Sequence, residues 1–442
     1  MENVFIYVLY IAPLILIILI YSRHIQQHHA KSLRMKQEAI SNGLAEPASL
    51  HPVIDPFKCI GCGSCVKACP EENVLGLIHQ KAELIGPSHC IGHGACQKAC
   101  PESAITLVFG TDTRGVDIPE LSPQFETSVP GIYIAGELGG MGLIRNAIEQ
   151  SCQAMKALQL KYLKSDQALN SQSTAECFDV IIIGAGPAGI TAALYAKQQK
   201  LSYKVIEQDS LGGTVAHFPR GKIVMTAPAI LPIVGKVKFT ETTKEALIAF
   251  WEKIYAEQNL AIHFQEKMHA IEKEEQLFTI KTNKNCYQAK TVLLTIGRRG
   301  SPRTLDVPGE QLEKVCYRLI DPAQYQGQKV LVVGGGDSAL EAALSISKEP
   351  GSEVILSYRG ESFNRVKAKN RDAINDAVKA GNLKVLLASQ VTEISQHEVN
   401  IQFDNQLQCF ANDAVIICAG GILPSQLLMS MGITVTTKFG TA

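Results

Sequence analysis

Seven of the thirteen cysteines fall between residues 59 and 100, and their spacing suits metal chemistry rather than disulfides. The first run reads Cys59-x-x-Cys62-x-x-Cys65-x-x-x-Cys69-Pro70; a second copy opens at Cys90 and continues through Cys96 to Cys100-Pro101. Thiolates at this pitch wrap three ligands around one cuboidal cluster and send the fourth to a partner cluster. The spacing therefore predicts that Cys59, Cys62, Cys65 and Cys100 hold a first 4Fe-4S cluster. Zinc is a poorer fit, because its ligands come in pairs separated by a longer spacer. The second copy carries His93 where a cysteine is expected, so the second set is Cys69, Cys90, His93 and Cys96. Three outcomes are open: imidazole ligation, a three-iron cluster with His93 idle, or no second cluster. A neutral imidazole in place of a thiolate removes negative charge and raises the potential.

Two glycine runs carry a different chemistry. In Phe178 to Gly189 an apolar stretch, Val180 to Ile183, leads into Gly184-x-Gly186-Pro187-Ala188-Gly189 and then into the helical Ile190 to Ala196. This is a buried strand, a phosphate turn and a helix whose free N-H groups receive a pyrophosphate. The next strand, Tyr203 to Ile206, ends in Glu207, about 20 residues past the glycines, where a carboxylate accepts from ribose hydroxyls. The second run, Val330 to Ala339, contains Gly334-Gly335-Gly336-Asp337-Ser338-Ala339. Its following strand, Glu353 to Ser357, ends in Tyr358-Arg359, with Arg365 shortly after and no acid at the ribose position. Guanidinium groups there suit a 2'-phosphate, which favours NADPH over NADH. Glu361 keeps open the alternative of a solvated arginine pair.

The cysteine block resembles the bacterial two-cluster ferredoxins. From Asp179 to the C-terminus the chain resembles the thioredoxin reductase-like branch of the two-dinucleotide flavoproteins, through the two glycine runs, Leu211-Gly212-Gly213-Thr214, Leu293-Leu294-Thr295-Ile296-Gly297 and Leu305-Asp306-Val307-Pro308-Gly309-Glu310. Glu126 to Glu137, ending Tyr133-Ile134-Ala135-Gly136-Glu137, is similar to the second flavin-binding motif of that family, with Glu137 in place of the family's Asp. The resemblance implies FAD on Gly184, Gly186, Gly189, Glu207, Gly212, Gly213, Thr214, Gly297, Gly136 and Glu137, and NADPH on the second run. It also implies a helix after Gly139-Gly140-Met141-Gly142 whose N-terminus faces the flavin. In the family this motif comes last, whereas here it precedes the first fingerprint. The expectation is a circular permutation, with Asp117 to Leu158 folding back onto the rest. Disulfide reductases of the family carry a Cys-x-x-Cys pair against the flavin. None stands from Asp179 onward, where Cys286, Cys316, Cys409 and Cys418 are isolated.

These groups must be positioned by an α/β chain. The expected fold has two Rossmann-like dinucleotide-binding domains of thioredoxin reductase type, a small α+β ferredoxin domain and one transmembrane helix. The boundaries read as an anchor over 1–22, a linker over 23–50, the ferredoxin domain over 51–108, the displaced flavin segment over 109–160 and a linker over 161–177. The FAD domain follows over 178–324, the NADPH domain over 325–414, and 415–442 returns to the FAD domain. Val4 to Tyr21 is almost wholly apolar, just long enough to cross a bilayer core. Arg23, Lys31, Arg34 and Lys36 follow it, which predicts a single-pass placement in a bacterial cytoplasmic membrane with the bulk of the chain inside. Forty-two basic residues balance 42 acidic ones, so nothing steers the protein to nucleic acid.

The functional expectation is an oxidoreductase passing electrons between NADPH, FAD and one or two clusters, without a protein acid, base or nucleophile. An unidentified redox protein or quinone is the further partner, and a second copy of the chain is a candidate partner. The alternatives are a reductase of thioredoxin or a small disulfide using an external dithiol, and a FAD-binding membrane redox sensor or electron-transfer subunit without turnover.

Overall fold

The computed structural model describes residues 2–440, except 42–46, 48, 49, 72, 91, 93, 113, 114, 141, 164–176, 226, 227, 239, 240, 276, 299, 364, 365 and 367; side chains are also not described at 2–14, 24, 88, 225, 301 and 368. The chain divides into two compact units. One holds residues 1–115 with 364–368 and 438–442, and the other 116–363 with 369–437.

The first unit begins with a helix, α1 (Glu2–Ser41). Residues 23–41, read from composition as linker, thus belong to a helix. Between Leu14 and Ser41 there is neither Gly nor Pro, and Lys, Gln, Leu, Arg, Met, Glu and Ala carry the second half. Among the described residues no helix is long and apolar enough to cross a membrane. The apolar stretch begins within the first fourteen residues, whose side chains are not described; its described end, Ile15 to Tyr21, is exposed at every position.

A small α+β body follows: strand β1 (His51–Ile54), helix α2 (Ser64–Ala68), strands β2 (Leu75–Ile78) and β3 (Lys81–Leu84), helix α3 (Ala95–Lys98) and strand β4 (Ile105–Val108). β1 pairs antiparallel with β4, and β2 with β3. The two halves repeat each other, loop then short helix, around a core of Cys59, Cys65, Val74, Leu75, Ala82, Cys96, Ala104 and Ile105.

The second unit opens with strands β5 (Val116–Pro119) and β6 (Ile132–Ile134) and helix α4 (Ile144–Leu158). The first fingerprint follows as strand β7 (Cys177–Ile183), helix α5 (Pro187–Gln198) and strand β8 (Tyr203–Ile206). β8, β7 and the long strand Cys286–Leu294 run parallel side by side, because each is apolar enough to be covered on both faces. β6 adds to the far side of that long strand, pairing Ile132, Tyr133 and Ile134 with Val292, Leu293 and Leu294. All three β6 residues are at most 1% exposed. β5 pairs with Val435–Lys438, and Glu120 N donates to Thr434 O at 2.9 Å. The segment that precedes the first fingerprint is thereby built into its sheet and onto the end of the chain.

Helix α6 (Lys244–Glu257) buries Leu247, Trp251 and Ile254. The second fingerprint lies in a separate parallel sheet of five strands, with Lys329–Val333 between Glu353–Ser357 and Ala414–Ile417.

Candidate functional site

Cys59, Cys62, Cys65 and Cys100 line a single cavity, walled further by Ile54, Ala82, Pro101 and Ile105. They surround a space instead of converging on a point: among the described residues, no group of three or more His, Cys, Asp or Glu is placed to hold one metal ion. A mononuclear zinc would need its thiolates about 2.3 Å from one centre, whereas a cuboidal cluster gives each thiolate its own iron. The donor set therefore fits a 4Fe-4S cluster. Burial pushes the Cys65 thiol up to about 11, with Cys59 and Cys62 opposing its ionisation further. A bound cluster would overcome that cost, because coordination deprotonates a thiol outright. Backbone N-H groups already point at the ligands, Ala82 N at Cys59 Sγ (3.4 Å) and Ala104 N at Cys100 Sγ (3.3 Å). Such donors favour the more reduced cluster by stabilising its added negative charge.

Cys69, Cys90 and Cys96 form the second group. Burial raises each thiol, and the ionisation of Cys96 is opposed by both Cys90 and Cys69. His93 lies outside the described residues, but its neighbours do not. Gly92 and Gly94 take φ +75° and +73°, matching +72° and +71° at Gly61 and Gly63 around Cys62. The left-handed glycines on either side of Cys62 in the first copy are thus matched by Gly92 and Gly94 in the second. At Gly61 and Gly92 a side chain would meet carbonyl oxygens, Gln80 O at 2.0 Å and Leu50 O at 2.6 Å.

In the second unit the fingerprint glycines divide the work expected of them. Gly184 turns with φ +107°, and a Cβ on Gly189 would lie 1.9 Å from Gly184 O, so the third glycine is what lets α5 close onto β7. A Cβ on Gly186 would meet nothing nearer than Gly213 Cα at 3.8 Å, leaving the approach to the helix open. α5 begins at Pro187 with no side-chain cap, so the N-H groups of Ala188 and Gly189 and the positive helix end stand ready for an anion.

Glu207, 7% exposed, folds back on this turn. Its carboxylate accepts from Ala185 N at 2.6 Å and Asp209 N at 2.8 Å. Burial raises its pKa, partly offset by these bonds. Two acceptor positions per oxygen leave capacity for a ribose. The loop Leu211 to Thr214 arrives beside the turn, since Gly212 N donates to Ala185 O at 2.9 Å. Gly297 also lies here, with Thr214 Oγ1 3.9 Å from the place of its missing Cβ.

Gly136 and Glu137 reach the same place from the other side of the sheet. Ala135 N donates to Leu294 O at 3.1 Å, and the position of a Cβ on Gly136 is 3.4 Å from Ala188 Cβ. Glu137 is exposed. α4 starts at Ile144, two residues past Gly142, after a short 3-10 turn over Glu137–Gly139 and an extended step at Leu143. Its N-terminus has no side-chain cap.

Three buried polar residues essential to this arrangement were not singled out as ligand-site residues from sequence. Gln150 Oε1 accepts from Gly136 N (2.9 Å), Ser151 Oγ donates to Ala188 O (2.7 Å), and Thr295 Oγ1 bonds Ile183 O (2.8 Å) and Gly184 O (2.9 Å). For Gln150 and Ser151 the available signal was two polar residues on the buried face of α4.

At the second fingerprint Gly334 takes φ +146°, where a Cβ would lie 2.3 Å from Cys418 O, and Gly336 is open. Helix α7 (Asp337–Ile346) begins with no side-chain cap. Asp337 is held by Asn370 Nδ2 at 2.7 Å, while Ser338 and Arg359 are exposed. The Tyr358 ring lies against Gly335 and stacks on Phe363 at 5.6 Å. Arg365 lies outside the described residues.

Two uncapped dinucleotide turns and a pair of thiolate clusters of the right spacing define a redox protein that handles hydride carriers and iron-sulfur centres on one chain. Residues 181–440 match the profile of the pyridine nucleotide-disulphide oxidoreductases, and residues 51–101 that of the 4Fe-4S dicluster domains. The chain belongs to the pyridine nucleotide-disulphide oxidoreductase family and carries a 4Fe-4S dicluster domain at its N-terminal side. It is 29% identical over 237 residues to a ferredoxin--NADP reductase of Streptococcus pneumoniae (strain Hungary19A-6), covering 51% of this chain and 70% of the relative. It is 27% identical over 267 residues to the bacilliredoxin reductase of Bacillus subtilis (strain 168), 59% and 82% of the two chains. The bacillithiol disulfide reductase of Staphylococcus aureus shares the fold, with a TM-score of 0.52 and 24% identity over 59% of this chain and 81% of that one. The two matched profiles stop at residue 101 and resume at 181, so neither covers β5, β6 or α4.

Proposed function

We propose that this chain is a membrane-anchored NADPH oxidoreductase in which FAD exchanges electrons with the N-terminal cluster domain, a ferredoxin-NADP reductase with its ferredoxin on the same polypeptide. The observation that carries the reading is the assembly of two separate thiolate groups, with the four predicted ligands of the first around one cavity, on a chain whose flavin half has no Cys-x-x-Cys pair. FAD, when bound, accepts a hydride and gives up electrons singly, which is what joins a nicotinamide to iron-sulfur centres.

The chain's own residues hold and orient. The α5 N-terminus and Glu207 would grip the FAD pyrophosphate and ribose, and Gly136, supported by Gln150, would let backbone approach the ribityl chain. The α7 N-terminus with Arg359 and Arg365 would grip NADPH, the arginines selecting its 2'-phosphate. Thiolates Cys59, Cys62, Cys65 and Cys100 would hold one cluster, and Cys69, Cys90 and Cys96 with the His93 imidazole a second. The order of segments, with β6 filling the sheet position that the family fills last, supports a circular permutation. The apolar run to Tyr21, the exposure of Ile15 to Tyr21 around the whole helix and the basic residues after it support insertion in the cytoplasmic membrane.

An anaerobic titration with NADPH tests this, following flavin absorbance and cluster EPR together. Flavin bleaching and a reduced-cluster signal growing in step are expected. Bleaching with stoichiometric iron, but with clusters that stay silent until a low-potential reductant brings their signal up, would overturn the NADPH-to-cluster direction. The second reading, reduction of an external disulfide, is favoured by the likeness to the bacilliredoxin reductase. NADPH oxidation that depends on an added disulfide and leaves the clusters untouched would establish it instead.

A further inference from the structure

The helix α1 does not stop where the apolar run stops. It continues for 20 residues beyond Tyr21 to Ser41 and packs on the cluster body with one face. His29 meets His79 edge to face at 4.7 Å, Ser32 is 8% exposed, Lys36 Nζ lies 2.5 Å from Glu83 Oε2, and Ala39 is 9% exposed. The spacing 29, 32, 36, 39 is a single helical stripe. Gly76 permits the contact: a Cβ there would stand 2.6 Å from Ser32 Oγ.

Gly76 and Glu83 face each other across the β2–β3 hairpin, and so do Leu77 and Ala82. Successive residues point to opposite faces of a hairpin. One face thus takes α1, and the other serves the first cluster, where Ala82 N meets Cys59 Sγ at 3.4 Å and Leu77 adjoins Gly63. At 1.5 Å per residue, His29 stands only about 12 Å beyond Tyr21.

We propose that α1 is a rigid strut, not a tether, which clamps the cluster body to the bilayer at one height and one orientation, so that any electron partner of the clusters meets them at the membrane surface. The proposal rests on the membrane reading above. Its test keeps the two apart. The full chain with its clusters is placed in oriented multilayers of phosphatidylethanolamine and phosphatidylglycerol, reduced with dithionite, and its EPR recorded as the sample is turned in the field.

A strut makes the cluster g-features rise and fall with angle. A Gly-Gly-Ser insertion after Gln26 abolishes that dependence while the spectrum of randomly frozen sample stays unchanged. Membrane-bound protein with an angle-independent spectrum overturns the strut and leaves the anchor; protein recovered in the soluble fraction overturns the anchor. Should cluster signals be too weak, trypsin treatment of proteoliposomes reads the same point. The helix keeps Arg23 and Lys31 uncut in the native chain, and the insertion variant releases its soluble body. Equal release from both overturns the strut.

Discussion

At Glu126 three donors converge on one carboxylate: Lys161 Nζ at 2.7 Å, Tyr162 OH at 2.6 Å and Gly131 N at 3.0 Å. Burial alone would raise its pKa, but these bonds together hold it below the ordinary carboxylate value. A carboxylate depressed in the fold contributes stability above its unfolded pKa and loses it as pH falls through the folded value. Thermal stability of the native chain is therefore expected to drop on acidification below about pH 4.5 more than that of Glu126→Gln, whose curve is flatter in that window; parallel curves would refute the assignment.

His93 supports a second prediction. If its imidazole is a ligand, His93→Cys completes a thiolate set and lowers that cluster's midpoint by roughly 100 mV or more, measured by EPR redox titration, while the first cluster is unmoved. At Glu207, Glu207→Ala removes the acceptor of two buried N-H groups, which costs about 1–3 kcal/mol of stability and is expected to purify with little FAD.

At the scale of elements, the strands and helices that carry the glycine runs stand where periodicity placed them. β8 has the residues read from sequence, because local apolar pattern and turn chemistry determine such units. The grouping of the cysteines was equally legible, spacing being sufficient for it. What spacing does not contain is proximity across the chain. Gln150, Ser151 and Thr295 look like ordinary polar residues until β6 and α4 are laid against β7 and α5. The Tyr358 ring on Gly335 was hidden for the same reason, whereas the continuation of α1 past Tyr21 lay in a local run without Gly or Pro that composition alone made look like linker. These contacts are consequential. Gln150→Leu leaves Gly136 N buried without an acceptor, and the melting temperature of the FAD-loaded protein is expected to fall by several degrees, corresponding to about 1–3 kcal/mol. An unchanged melting curve would show that the bond from Gly136 is dispensable.

For the whole molecule, the pairing of β6 with a strand 160 residues later is the main organisational feature. Residues 116–158 bring the strand beside Leu294, the glycine turn at Gly136 and a helix that locks Ala188, so residues 178–442 alone lack one strand of the flavin sheet. That fragment is expected to be insoluble or free of FAD. Appending residues 109–162 after Ala442, the order that the proposed permutation would reverse, is expected to restore yellow, FAD-containing protein. Recovery of FAD by the bare fragment would mean that β6 is an accessory.

The position of β6 also has a consequence in time. Its residues Ile132, Tyr133 and Ile134 leave the ribosome 160 residues ahead of their partners Val292, Leu293 and Leu294. At 5–20 residues per second that is a wait of roughly 8–30 s. An apolar strand buried to within 1% in the finished protein must spend that interval without its sheet. Three hydrophobic residues therefore wait for their partners while the rest of the flavin domain is being translated.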